Sequence, residues 1–146
     1  MTSFEAFSMF IAFASFVTSC VAAYIAYQSN QSNKEIAKRQ NIIDLHAQWS
    51  SVNDIDLNKI VIPDVVRAVN ALSLTASLWN HDVIVKSVIY QSYWEPYRTL
   101  YDKLYGCNQE IEGLNRTGRS MMTTDISKAY HSMRDADISK LLTTKY

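Results

Sequence analysis

The chain has 146 residues, room for about one domain, and its 14 basic residues balance 14 acidic ones. That balance argues against a non-specific nucleic-acid binder, whose binding domain is usually clearly basic. Two cysteines, Cys20 and Cys107, support no disulfide framework, and a chain with only three glycines and two prolines has the composition of an all-helical protein.

The first element is an uncharged apolar run over residues 7–27. At about 1.5 Å per residue a helix of that length reaches roughly 30 Å, the thickness of a bilayer's hydrocarbon core. Its most polar members are Ser and Thr, whose hydroxyls can return to the helix's own carbonyls. Tyr24 and Tyr27 stand where an interfacial aromatic belt would be. A signal peptide would open on a basic n-region, whereas this chain opens Met-Thr-Ser-Phe-Glu, and Glu5 is the sole charge before residue 34. Lys34, Lys38 and Arg39 follow the run closely. The positive-inside rule then predicts residues 1–6 as a short extracytoplasmic tail, 7–27 as a transmembrane helix and 28–146 as a cytoplasmic helical domain. Inner-membrane localisation follows from that topology.

Small residues recur every four positions within the run. Ser15, Ser19 and Ala23 form one row, with Ala14, Thr18, Ala22 and Ala26 beside it. Such rows let helix backbones approach closely, which predicts self-association in the bilayer, although Ala and Ser are also common in solitary spans.

Nothing breaks the helix after Tyr27. A polar Gln/Ser/Asn collar at 28–33 is the place where it would fray or kink. Beyond it Ile36 and Ile43 lie seven apart, and Ile42, Leu45, Trp49 and Val52 step by three, four and three, an amphipathic period that carries the helix to about Ser50. Residues 51–56 read as a turn. Pro63 opens a helix over 63–79 with Val65, Val69, Leu72, Ala76 and Trp79 on one face. Asn80-His81-Asp82 breaks it, and Asp82 is the predicted N-cap of a short helix over 83–91. Pro96 then predicts a fresh helix from Ser92 or Tyr93 to Tyr105, closed by Gly106. Residues 107–120 read as a loop, Thr124 or Asp125 as the cap of a helix to Met133, and 137–142 as a final turn or two. The predicted fold is all-α: a transmembrane helix continuing into a small cytoplasmic helical bundle.

Chemistry-bearing constellations are sparse. His46, His81 and His131 lie far apart without metal-ligand spacing, no phosphate-binding glycine loop occurs, and Asp54/Asp56, Glu110/Glu112 and Asp135/Asp137 fit helix caps and solvated turns. No cofactor, metal, nucleic acid or small-molecule substrate is indicated, and the reading is non-enzymatic. The segment 90–105 holds five of the nine tyrosines, and Tyr93, Tyr97, Tyr101 and Tyr105 advance by fours. Packed inward, that row is core against Trp49 and Trp79; left near the surface, it is a protein interface.

The passages Gln40-Asn-Ile-Ile-Asp-Leu-His-Ala-Gln-Trp49, Val69-Asn-Ala-Leu-Ser-Leu-Thr-Ala-Ser-Leu-Trp-Asn-His-Asp-Val-Ile84 and Ser92-Tyr-Trp-Glu-Pro-Tyr97 resemble a group of bacterial proteins of unknown function with one N-terminal span and a small cytoplasmic helical domain. The group's central helix carries an Asn-x-x-Glu-x-Ile-Ala pattern, which Asn70 and Ala76 match and which Ser73 and Thr75 depart from. The likeness runs over about residues 7–105. The resemblance brings no activity with it; the anchor, the tyrosine-rich helix and the small-residue rows themselves predict a membrane-anchored module that binds a protein partner or itself. Occurrence of such proteins in phage and mobile-element settings implies a rival: superinfection exclusion or holin-like membrane perturbation by oligomerised spans.

Overall fold

The computed structural model describes residues 3–56 and 59–143. Of these, 77% are helical and 3% are in strands, so the fold is all-α as predicted. Six helices are formed among the described residues: α1 (Ser3–Ser50), α2 (Ile62–Asn80), α3 (Lys86–Gly106), α4 (Gly118–Met121), α5 (Thr124–Arg134) and α6 (Ile138–Thr143). A two-stranded antiparallel hairpin, β1 (Glu110–Ile111) and β2 (Arg116–Thr117), precedes α4. The chain divides into two compact units, Met1–Arg39 and Gln40–Tyr146. The division falls within α1. Of the predicted tail, Met1 and Thr2 lie outside the described residues, as do the last three residues of the predicted domain.

Within the first unit every residue from Phe7 to Arg39 is exposed. The hydroxyls of Thr18 and Ser19 donate to the carbonyls of Ala14 and Ser15 at 2.8 and 2.9 Å, so each satisfies itself on its own helix. The polar collar does not fray. It stays helical, with Gln31 donating to the Tyr27 hydroxyl at 3.1 Å and Lys38 paired to Glu35 at 3.0 Å.

The second unit buries one core. The end of α1 contributes Leu45, with Ile42, Trp49 and Val52 packed around it. On α2 the expected face is buried or half-buried, and Ala68, Ala71 and Thr75 join it; these small residues let neighbouring helices come close. Ile89, Tyr93, Tyr97, Leu100, Tyr101 and Leu104 on α3, with Ile126, Ala129 and Met133 on α5, close it from the other side. Each Leu or Ile buried this way contributes about 1.5–3 kcal/mol.

Three local expectations are corrected. Asp82 is no N-cap. It takes a left-handed conformation (φ 52°) and ends α2, with Val83 N–H bonded to the Leu78 carbonyl and Asp82 N–H to that of Trp79, the pattern of a Schellman motif. Its carboxylate meets Lys86 at 2.8 Å instead, and α3 begins after Val85 with no side-chain cap.

Pro96 starts no new helix, and residues 83–85 are not helical. One helix runs from Lys86 to Gly106 straight through Pro96, which lies on the exposed face, as does Ser92 whose carbonyl loses its partner. Water can reach that carbonyl, while Ile89, Tyr93, Tyr97 and Leu100 bind the opposite face to the core. Gly106 is the last helical residue, and Cys107 is the cap.

The predicted loop 107–120 contains the hairpin and α4. Gly113 (φ 89°) and Asn115 (φ 49°) make its turn. Gly118 approaches so closely that an added Cβ would sit 2.4 Å from the Leu104 carbonyl oxygen. Thr123, rather than Thr124 or Asp125, caps α5 by accepting from the Ile126 N–H.

Candidate functional site

The tyrosine row is core, and its reading as a protein interface is corrected for three of its four members. Helix α3 turns Tyr93, Tyr97 and Tyr101 inward to 6%, 0% and 4% exposure, leaving only Tyr105 at the surface, at 41%. A step of four on a 3.6-residue helix stays on one face, and Leu100 and Leu104 hold that face against α2 and α5. Each buried hydroxyl has a partner. Tyr97 donates to the Ile126 carbonyl at 2.9 Å, Tyr101 to Ser127 Oγ at 3.2 Å, and Tyr93 shares a 2.5 Å hydrogen bond with His46 Nδ1. Burial pushes the Tyr97 phenol well above its ordinary range, with the Tyr101 hydroxyl adding to the effect; desolvation raises Tyr93 as well. The rings stack: Tyr101 on Tyr130 with centroids 4.1 Å apart, and Trp49 on Tyr93 at 5.7 Å.

Thr75 turns out to be a tie point that sequence reading passed over as a departure from a pattern. Fully buried, it accepts from the Trp49 indole N–H at 3.0 Å and donates to the Ala71 carbonyl at 2.7 Å. It locks the end of α1 to α2.

An open cleft of about 450 Å³ lies beside this joint, lined by Trp49, Val52, Asn53, Asp54, Glu95, Pro96, Thr99 and Leu100. Lys103 bonds Asp54 and holds its carboxyl below the usual carboxylate range, chiefly through that hydrogen bond. Glu95 accepts from Arg98 at 2.7 Å. Both acids are thus neutralised by neighbours, and the cleft wall holds neither His nor Cys. The sequence held no sign of the cleft, because residues 49–54 and 95–100 meet only in the folded unit. Among the described residues no group of three His, Cys, Asp or Glu side chains is arranged to hold a metal ion.

On α1, a concave strip of the helix surface runs along Ala14, Ser15, Thr18, Ser19 and Ala22, edged by Phe10 and Ile11; Ala23 lies outside it. Tyr24, Tyr27, Lys34, Lys38 and Arg39 are all exposed on the same helix. By length and composition α1 is able to cross a membrane, and none of its apolar window is buried. Ile36 and Ile43, seven residues apart, are 61% and 59% exposed. The inward row is Ile42, Leu45 and Trp49, continued by Val52 just past the end of the helix. Comparison with protein-family models, curated proteins and solved structures finds no match.

Proposed function

We propose that the protein is a single-pass inner-membrane protein, N-terminus outside, whose compact unit serves on the cytoplasmic side as a non-enzymatic interaction module. The observation that carries this reading is the uncovered apolar window of α1. A soluble protein's core helix of that hydropathy would be buried, and this one is bare. Orientation rests on Lys34, Lys38 and Arg39 following the span, against Glu5 before it. The small-residue strip along Ser15, Ser19 and Ala22 supports contact with another span, and the cleft between Trp49 and Leu100 is the module's best remaining contact surface now that the tyrosine row is internal.

Alkaline carbonate extraction of membranes from cells making the full chain tests the anchor, and protease treatment of inside-out against right-side-out vesicles tests the topology. Retention in the pellet, with digestion of 40–146 only in inside-out vesicles, is expected. Release by carbonate would refute the anchor. Collapse of the membrane potential on induction would favour the lesion-forming rival instead.

A further inference from the structure

Helix α1 has two faces of different character. Leu45, with Ile42 and Trp49 flanking, packs into the compact unit, whereas Ile43 and Ala47 on the other side are exposed. Followed along the helix, the exposed side keeps a seven-residue register. Taking Ile36 and Ile43 as d positions places Asn33, Gln40 and Ala47 at a, and Leu45 at f, directly opposite the seam. Continued towards the N-terminus, the same register falls on Ser8, Ala12, Ser15, Ser19, Ala22, Ala26 and Ser29, all of them Ala or Ser. Phe7, Phe10, Phe13, Phe16 and Tyr24 stand outside it. Such segregation would leave the bulky side chains facing lipid and the small ones facing another helix.

We propose that this face of α1 is the seam of a parallel homo-oligomer, in which a second copy of the chain packs its own Asn33–Ala47 heptads against the first. The charges name the partner. Arg39 falls at g and Asp44 at the e position five residues on, and in a parallel coiled coil g of one helix faces e of the next heptad on its partner. Arg39 makes no ion pair among the described residues, Asp44 accepts only a 2.8 Å hydrogen bond from Gln40 of its own helix, and both charged side chains are exposed. Two copies therefore supply each other with an Arg39–Asp44 pair on either flank of the seam. Asn33 and Gln40, polar at a positions, are the residues that fix register at the expense of stability. A 3.5-residue repeat on a 3.6-residue helix drifts about 20° per heptad, so the seam closes by left-handed supercoiling. The inference rests on the anchoring proposed above, because insertion with one topology brings every copy in parallel.

The test uses the full chain in native membranes, in a Cys20→Ser background. Cysteine is introduced by Ile36→Cys, Ile43→Cys or, at f outside the seam, Lys38→Cys, and disulfide-linked dimer is measured after mild oxidation. Crosslinking at Ile36 and Ile43 is expected several-fold above Lys38. Arg39→Glu or Asp44→Arg alone should lower crosslinking at Ile43 several-fold, and the two together should restore it. Uniform crosslinking, a maximum at Lys38, or none in a chain that carbonate leaves in the membrane overturns the seam while leaving the anchor standing. A chain that carbonate releases overturns the anchor, and the parallel seam with it.

Discussion

Replacing Tyr97 separates a core tyrosine from a surface one. Its ring is fully buried and its hydroxyl donates to the Ile126 carbonyl at 2.9 Å, tying α3 to α5. Tyr97→Ala removes the ring and leaves a cavity among residues of three helices, a change that costs about 3–5 kcal/mol. A small domain is stable by only about 5–15 kcal/mol, so this approaches the whole margin. With an unfolding entropy near 2.1 cal/mol/K per residue, a unit of about 105 residues loses roughly 4–5 °C of melting midpoint per kcal/mol, hence about 15–20 °C here. Tyr97→Phe keeps the ring and forfeits the hydrogen bond alone, about 0.5–1.5 kcal/mol. Tyr105→Ala, which loses a stack on Tyr101 and a 4.6 Å contact with the Arg119 guanidinium, should cost below about 1 kcal/mol. Thermal unfolding of the detergent-solubilised full chain, followed by near-ultraviolet circular dichroism, reads all three. A Tyr97→Ala midpoint no lower than that of Tyr105→Ala would refute the packing argument.

Thr75→Val leaves the Trp49 indole N–H without its acceptor and should destabilise by about 1–3 kcal/mol, while Trp49→Phe in the Thr75→Val background should cost much less than Trp49→Phe alone; denaturant titration of the four variants gives the coupling. Tyr97 also predicts an alkaline limb. Burial, with Tyr101, holds its phenol above the ordinary 10.0, so the unfolded chain releases that proton at a pH where the folded chain keeps it. Its contribution is intact below pH 10 and is lost as pH rises beyond, so denaturant midpoints should fall above about pH 10. Tyr97→Phe should flatten the fall without abolishing it, since Tyr93 and Tyr130 are raised too, both chiefly by burial.

Residues whose role depends on near neighbours in sequence were legible before folding. The α1 and α2 helices, the break at 51–56 and the inward row Leu45, Trp49 all follow from 3.6-residue periodicity and the lack of Gly and Pro. Two-residue strands have no period to read, so the hairpin at 110–117 stayed hidden. Pro96 misled because proline's effect on a helix depends on whether the carbonyl it displaces faces water, and only packing decides that. Asp82 misled similarly, since a short polar residue serves as readily for a left-handed helix end as for a helix start.

The sequence alone determined the fold class of this protein: an all-α chain that opens on an apolar helix long enough to span a bilayer. Local chemistry suffices for that, because helix length, charge and hydropathy are properties of consecutive residues. Tertiary structure alone decided which aromatic residues are core, where a cleft opens, and that Ile36 and Ile43 are left bare. A spacing of three, four or seven names residues that share a face. It does not say what that face meets, and burial is settled only when distant segments compete for the same apolar surface.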